Sequence, residues 1–260
     1  MYKLKRFLSY LSYLYISFIC RGKIVYVVNG ARRSGNHAFI NWLSNAIDNE
    51  QVNYTEISYT VSKSTSGKIV FFNEVNFLGV LHFISSLRKN KESIKKANYI
   101  IISLEDYITH KYDTFVPMKA IKIAITRSTL NLISSRLKRA INVAELGLCR
   151  GDMVINQKFI DCLYALREAN NWKVWHYDSW VEDKTYRNVF LNGLGFSFDL
   201  SSSVSIQGGG SSFTGSKETP NVHDVLNRWE KIIWPQRIVE LLNDNPRLLT
   251  ETEKKFLANL

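Results

Sequence analysis

Glycines and arginines cluster in one short segment that could hold a phosphate group. The segment GARRSGNH, residues 30–37, follows an apolar run that predicts a strand at residues 23–28 and opens a helical pattern at residues 35–47. A strand that enters a glycine-containing turn before a helix directs backbone N–H groups and the positive end of the helix dipole at one point. The sequence therefore predicts an anion-binding loop at this position.

The loop differs from the loops that cleave ATP or GTP. Those loops place a lysine and then a hydroxyl residue after the second glycine, and the two residues reach the terminal phosphates and magnesium. Asn36 and His37 occupy these positions here. Arg32 and Arg33 supply positive charge from within the loop, and a guanidinium donates hydrogen bonds but does not bind a metal. We therefore expect a phosphate-containing donor and no metal.

A second motif lies about 90 residues further along the chain, in ITRSTLNLISSRL at residues 125–137. Its strand-like start ends at Arg127, and Ser135 follows eight positions later within a helical pattern. RRSGNH resembles the 5′-phosphosulfate loop of sulfotransferases, and the second segment is similar to the 3′-phosphate motif of that family. Family members commonly carry Asn or Asp and then Pro after the arginine, whereas this chain has Ser128 and Thr129.

The resemblance implies that the chain binds 3′-phosphoadenosine 5′-phosphosulfate (PAPS) and releases 3′,5′-adenosine bisphosphate (PAP). It implies that Arg127 and Ser135 bind the 3′-phosphate, which ATP lacks. The residues that it implies for the 5′-phosphosulfate are Arg32, Arg33, Ser34, Gly35, Asn36 and His37.

Two looser likenesses extend the expected donor site. VWHYDSW, residues 174–180, looks like the family's strand that ends in a tyrosine and an acid, and the resemblance implies that Tyr177 packs near the adenine. GGGSSFTGSK, residues 208–217, looks like a late glycine-rich and lysine-bearing loop, so Lys217 is expected to contact the donor. The alternative for this second segment is a surface linker.

Sulfuryl transfer to an alcohol needs a base for the hydroxyl proton and stabilisation of charge on the leaving phosphate. Arg33 is expected to supply that stabilisation. Cytosolic family members use a histidine at the end of the strand before the 3′-phosphate strand, whereas several carbohydrate-specific relatives use a glutamate. Glu105 holds this position and is the first candidate base, and Glu74, at the end of the preceding strand, is the second. A helix-cap or loop carboxylate is the alternative for either residue.

Alternating strand and helix patterns predict a three-layer α/β fold with a central, mostly parallel sheet, like that of P-loop NTPases. The predicted strands lie at residues 23–28, 68–72, 98–104, 121–126 and 172–177. The predicted helices lie at residues 35–47, 76–88, 130–142, 155–170 and 184–194, and a serine- and glycine-rich loop at residues 201–219 precedes a final helical region from residue 222. Parallel strands place every motif above at the same edge of the sheet.

The composition fits a single catalytic domain at residues 23–260. The formal net charge of +11 favours anionic partners. Cys20, Cys149 and Cys162 are odd in number and far apart, which predicts neither a disulfide framework nor a zinc site and indicates a reducing, cytoplasmic location.

Residues 1–22 predict an amphipathic helix, because Leu and aromatic residues recur there at helical spacing after a basic start. The apolar stretch at residues 7–20 is shorter than the roughly 20 residues that cross a bilayer. Two alternatives stay open at this point: the helix packs on the domain's own core, or residues 1–20 dock peripherally on a membrane surface.

Taken together, the motifs predict a PAPS-dependent sulfotransferase of the carbohydrate type, acting on a hydroxyl of a glycan or polysaccharide. Two alternatives are a P-loop kinase or NTPase and a non-catalytic protein that binds an anion or nucleotide. No nucleic-acid partner is expected, because the sequence lacks the interleaved aromatic and basic residues of RNA-binding modules.

Overall fold

The computed structural model describes residues 18–49, 54–58, 61–75, 85, 88–106, 119–145, 155–197 and 226–260. Within these ranges the strands form one sheet in the order β2-β3-β4-β5-β1-β6-β7. The strands are β1 (Ile24–Gly30), β2 (Tyr54–Ser58), β3 (Val61–Ser64), β4 (Ile69–Val75), β5 (Tyr99–Glu105), β6 (Ile121–Thr126) and β7 (Lys173–His176). The five strands from β4 to β7 in this order pair in parallel, and β2 and β3 add an antiparallel edge.

Helices connect the parallel strands and extend beyond the last one. They are α1 (Asn36–Asp48), α2 (Lys91–Lys96), α3 (Thr129–Glu145), α4 (Gln157–Arg167), α5 (Tyr177–Glu182), α6 (Lys184–Asn192), α7 (Gln236–Asn243) and α8 (Glu251–Leu257), with 3₁₀ turns at Arg228–Lys231 and Pro246–Leu248. Side-chain caps fix several of the helix starts, because a polar side chain there accepts from an otherwise unpaired N–H group. Asn156 caps α4, Asp183 caps α6, and Thr250 with Glu253 forms a capping box on α8.

The two faces of the sheet are buried in two separate apolar clusters. Val25 and Val27 of β1 face the cluster that contains α3, α4 and the C-terminal helices. Tyr26 and Val28 of the same strand face the cluster that contains α1. Because successive side chains of a strand point to opposite faces, both clusters draw on the same strands. This arrangement confirms the predicted three-layer α/β fold with a mostly parallel central sheet.

All five predicted strands are present, with ends that differ from the prediction by three residues or fewer. The strand predicted at residues 172–177 is observed as β7 and is shorter than expected, because Tyr177 begins α5 rather than ending the strand. The prediction missed β2, β3, α2 and α5. Residues 76–88 lie outside the described residues except for positions 85 and 88, and the predicted loop at residues 201–219 lies wholly outside them.

Of the predicted N-terminal helix, the structure describes residues 18–22. Phe18 and Ile19 form the end of a helical turn, and Cys20 is buried against the core. In the portion of the chain that the structure describes, no helix combines the length and the apolar character needed to cross a bilayer.

Candidate functional site

The predicted motifs meet where four neighbouring parallel strands end. Gly30, the last residue of β1, lies opposite Glu105 in β5 and Ile125 in β6. Thr126, the last residue of β6, lies opposite His176 in β7. In open α/β sheets, ligands bind beyond the carboxyl ends of the strands. The structure therefore brings residues 30–37, which we call the arginine loop, to the same edge as Glu105, the second motif at residues 125–137 and Tyr177, as the sequence predicted.

Two glycines make the loop geometry possible. A Cβ atom on Gly30 would lie 2.2 Å from Asn36 Oδ1 and 2.5 Å from Ser34 Oγ. Gly35 has a φ of 111°, and its Cβ atom would lie 2.4 Å from Cδ2 of the Tyr177 ring. Only glycine avoids both the steric overlap and the strain of a positive φ at such a position. The loop can therefore fold tightly against the strand ends and against Tyr177.

The amino terminus of α1, where the helix dipole is positive, lies at this edge. Gly35 is the N-cap residue of α1, and as a glycine it has no side chain that could cap the helix. The first turn of α1, which is described in full, contains no acidic residue. The first N–H groups of a helix have no intrahelical partner, and they attract anions when no carboxylate caps them. This end of α1 is therefore suited to a phosphate or sulfate group.

The side chains of Ser34 and Asn36 point into the protein beneath the loop. Ser34 Oγ donates to Asn36 Oδ1 at 3.1 Å. Asn36 Nδ2 lies 3.5 Å from the carbonyl oxygen of Gly30, 3.4 Å from that of Leu104 and 3.4 Å from Glu105 Oε1. Asn36 is only 4% exposed. The side chains of these two residues hold the loop on β1 and β5. Any hydrogen bond that they donate to a bound anion would therefore come from their backbone N–H groups.

The arginine loop and the second motif are in direct contact. Arg33 Nε donates to Ser135 Oγ at 3.3 Å, and Arg127 Nη1 donates to the carbonyl oxygen of Arg33 at 3.1 Å. Arg33 itself has a φ of 76°, a left-handed conformation that non-glycine residues seldom adopt. Strained backbone of this kind is concentrated at functional sites. Three residues predicted to bind opposite ends of one ligand thus lie side by side.

Arg127 is buried between an aromatic ring and a carboxylate. Its side chain is 3% exposed, and its guanidinium carbon lies 4.4 Å from the centroid of the Tyr177 ring. Its Nε atom lies 4.0 Å from Asp178 Oδ1. A buried guanidinium needs such partners, because desolvation of an isolated charge costs several kcal/mol. Tyr177 therefore contacts both Gly35 and Arg127 and links the two motifs.

The turn after Arg127 depends on two carboxylates: Asp178, the acid of the VWHYDSW segment, and Glu253, which the sequence analysis did not single out. Asp178 Oδ2 accepts from the backbone N–H of Ser128 at 2.5 Å. Glu253 Oε1, from α8, accepts from the Ser128 hydroxyl at 2.7 Å and from the backbone N–H of Leu130 at 2.9 Å. The Thr129 hydroxyl donates to the carbonyl oxygen of Leu248 at 2.5 Å. Side-chain hydrogen bonds of Ser128 and Thr129 thus fix the turn that follows Arg127.

Asp106 and Arg136 bind each other and the backbone of the arginine loop. Asp106 has a φ of 54°, and its backbone N–H donates to the carbonyl oxygen of Gly30 at 3.1 Å. Its Oδ1 atom accepts from the backbone N–H of Arg32 at 2.9 Å and from Arg136 Nη1 at 3.0 Å. Arg136 Nη1 also lies 3.3 Å from the carbonyl oxygen of Arg32, and the guanidinium stacks on Phe159. The pair formed by the buried Arg136 and the partly exposed Asp106 thus holds the backbone of the loop at Arg32.

Glu105 lies at the end of β5, beside the loop. Its Oε2 atom is 3.1 Å from Arg32 Nε, and its side chain is 9% exposed. With Asn36 Nδ2 near its other oxygen, the carboxylate is held in one orientation. A carboxylate fixed next to an anion-binding loop can accept a proton from a hydroxyl group that enters beside it.

The structure describes only part of what was predicted for His37, Glu74 and Lys217. His37 is half-buried in the first turn of α1, and its ring lies edge-on to Phe71 with 6.5 Å between centroids. Glu74 belongs to β4, but its side chain lies outside the described residues. Lys217 also lies outside them.

A second titratable group lies at the end of β7. His176 Nδ1 is 2.6 Å from Thr126 Oγ1, and the backbone N–H of His176 donates to the Tyr186 hydroxyl at 2.8 Å. Burial lowers the pKa of His176 below its ordinary value, and the charge of Arg167 lowers it further. The nearby Asp178 carboxylate opposes these two effects. The neutral imidazole is therefore the favoured form in the folded protein.

Among the described residues, no group of three or more His, Cys, Asp or Glu side chains is arranged to hold a metal ion. The chain matches no family model, and no curated protein matches it either.

Proposed function

We propose that this protein transfers a sulfuryl group from PAPS to a hydroxyl group, with a carbohydrate as the acceptor. The observation that supports the proposal best is the contact of Arg33 with Ser135 and of Arg127 with the Arg33 carbonyl. These contacts join two motifs that were separately expected to bind the two ends of the same adenosine compound.

The residues at this edge fit a ligand with two anionic groups. The N-terminus of α1 and the arginines at positions 32 and 33 would hold the 5′-phosphosulfate, and Arg127 with Ser135 would hold the 3′-phosphate. When bound, the donor supplies the activated sulfuryl group. Stacking against the Tyr177 ring keeps the Arg127 guanidinium in a fixed plane, which suits paired hydrogen bonds to a phosphate.

Glu105 would take the proton from the acceptor hydroxyl. Arg32 and Asn36 orient its carboxylate at the end of β5, next to the loop that would hold the donor. Arg33 would stabilise the charge that develops on the leaving phosphate, because its backbone is fixed by Arg127 while its side chain lies at the site. A glutamate in this role, in place of histidine, is the feature that favours a carbohydrate acceptor.

The buried amide of Asn36 disfavours the NTPase alternative. Its position in the loop is that of the phosphate-binding lysine of NTPases, but its side chain binds the backbone of β1 and β5. A non-catalytic anion-binding protein would share the arginines with a transferase, but it would not require the oriented Glu105 carboxylate.

The experiment is a transfer assay with PAPS labelled in its sulfuryl group, a panel of oligosaccharide acceptors, and a chelator to remove divalent cations. We expect label on an acceptor with the wild-type protein and a large loss with Arg33→Ala. Binding of PAP without transfer to any acceptor would favour the non-catalytic alternative. Magnesium-dependent release of phosphate from ATP would overturn the proposal.

A further inference from the structure

The amino ends of β4, β5 and β1 lie side by side at the edge of the sheet opposite the candidate site. The carbonyl oxygen of Lys68, just before β4, accepts from the backbone N–H groups of Asn98 and Tyr99 at 2.9 and 3.0 Å. The carbonyl oxygen of Asn98 accepts from the backbone N–H of Ile24 at 3.1 Å. The chain segments that enter β4, β5 and β1 are therefore held side by side.

We call the surface formed by the segments at residues 18–24 and 91–96 the basic edge. Its basic residues are Arg21, Lys23, Lys91, Lys95 and Lys96. All of them except Lys23 are exposed. The two segments contain one carboxylate, Glu92, which pairs with Lys95 at 2.9 Å. Lys68 adds less to the field because it lies 3.4 Å from the buried Asp48 carboxylate. The basic edge therefore carries a clear excess of positive charge.

Two apolar side chains project from the same surface. Phe18 is 74% exposed and Ile24 is 45% exposed. Their positions are fixed, because Cys20 between them is buried in the core and the Lys23 backbone N–H donates to its carbonyl oxygen at 3.0 Å. Lys23 Nζ also donates to the carbonyl oxygen of Lys95 at 2.7 Å, which ties this segment to the end of α2. The segment that carries Phe18 and Ile24 is thus held to the core and to the end of α2, which carries the lysines.

We propose that the basic edge docks on a membrane surface that contains anionic phospholipid. Exposed lysines attract the lipid headgroups, and an exposed aromatic ring among them can enter the boundary between headgroups and acyl chains. The sequence before this segment is also both basic and apolar, since Lys3, Lys5 and Arg6 precede apolar residues that recur at helical spacing. A nucleic-acid partner would use the lysines, and an unpaired base could stack on Phe18, but such a partner would gain little from Ile24, which cannot stack on bases. In this orientation the candidate site faces away from the bilayer.

The test is co-sedimentation of the full chain with phosphatidylcholine vesicles, with and without about 30% phosphatidylserine. We expect binding about tenfold or more tighter to the anionic vesicles, and weaker binding as salt rises. The variant Arg21→Glu/Lys91→Glu/Lys96→Glu should lose about tenfold or more in affinity. Phe18→Ser should weaken binding severalfold while leaving its dependence on phosphatidylserine unchanged. Circular dichroism checks that each variant is folded.

The matched control is Lys184→Glu/Arg237→Glu/Lys255→Glu, which makes the same change in net charge at exposed positions outside the basic edge. An equal loss in this control would show that total charge, and not the basic edge, drives binding, and would overturn the proposal. Equal binding of the wild-type protein to both kinds of vesicle would also overturn it. Displacement by a DNA duplex, together with no effect of Phe18→Ser, would assign the surface to nucleic acid instead.

Discussion

The Arg127 guanidinium donates a hydrogen bond to the main-chain carbonyl oxygen of Arg33 across 3.1 Å, and so joins two motifs that lie 94 residues apart in the chain. Ser135, which lies in α3 eight positions after Arg127, accepts from Arg33 Nε at 3.3 Å. The side chain of one motif thus fixes the backbone of the other. Loss of Arg127 is therefore expected to disturb the arginine loop as well as its own end of the site.

Glu105→Gln should lower the rate of sulfuryl transfer by about a hundredfold or more, because glutamine keeps the shape of the side chain but cannot accept the hydroxyl proton. The affinity for PAP should stay the same. Initial rates and calorimetry measure the two quantities separately. Glu92→Gln, at an exposed position on α2, is the control and should change neither. An unaffected rate in Glu105→Gln would move the role to Glu74, to be tested by Glu74→Gln.

Glu253→Gln should lower the free energy of unfolding by about 1–3 kcal/mol. Glu253 is 3% exposed, and its two oxygens accept hydrogen bonds from Ser128, Leu130 and Thr250. Glutamine would replace one of these accepting oxygens by an NH₂ group, which would face a donor and leave it unpaired. Urea denaturation measures the effect. Glu251→Gln is the control, since that side chain is 80% exposed two residues away. Equal stability of the two variants would remove Glu253 from its assigned role.

Gly35→Ala should be much more disruptive than Gly195→Ala. Both glycines have a positive φ, 111° and 86°, so both variants are strained. Only Gly35 would place a Cβ atom within 2.4 Å of the Tyr177 ring, whereas Gly195 has no heavy atom within 4 Å of that point. We expect Gly35→Ala to abolish PAP binding and Gly195→Ala to preserve it. Similar binding by both variants would contradict the packing of Tyr177 on the loop.

His176 should make the protein less stable as the pH falls. Its pKa lies below the ordinary value of 6.5, because burial and the Arg167 charge disfavour the imidazolium. The unfolded state therefore binds this proton more readily, so the stability that His176 contributes is complete above 6.5 and is lost as the pH falls through and below that value. His176→Gln should unfold in urea with a weaker pH dependence between about pH 7 and 5. An identical dependence in both proteins would count against this assignment.

The parts of the fold that could be predicted from the sequence are those with local signals. β1, β5 and β6 are covered on both faces and therefore appear as continuous apolar runs, and the glycine and arginine spacing marks the loop. β2 and β3 were missed because their sequences, YTEIS and VSKS, are polar and belong to the antiparallel edge.

The supporting residues of the site could not be predicted in the same way. Glu253 lies 125 positions from Ser128, and its capping-box pattern with Thr250 predicts only the start of α8. Asp106 contacts Arg136 across 30 positions with no local pattern to mark the pair. Such contacts depend on how helices and strands pack, which one sequence does not reveal.

The most direct test of the central claim is calorimetry with PAP, adenosine 5′-monophosphate and ATP in the presence of a chelator. We expect PAP to bind more tightly than the other two nucleotides, because only PAP presents a 3′-phosphate to Arg127 and Ser135. Arg33→Ala and Arg127→Ala should each weaken PAP binding by about 1.5–3 kcal/mol, and Arg127→Ala should in addition remove most of the preference for PAP over the monophosphate. Arg237→Ala, at an exposed position on α7, is the control and should change neither quantity. Binding of ATP as tightly as PAP, or an unchanged preference in Arg127→Ala, would contradict the account.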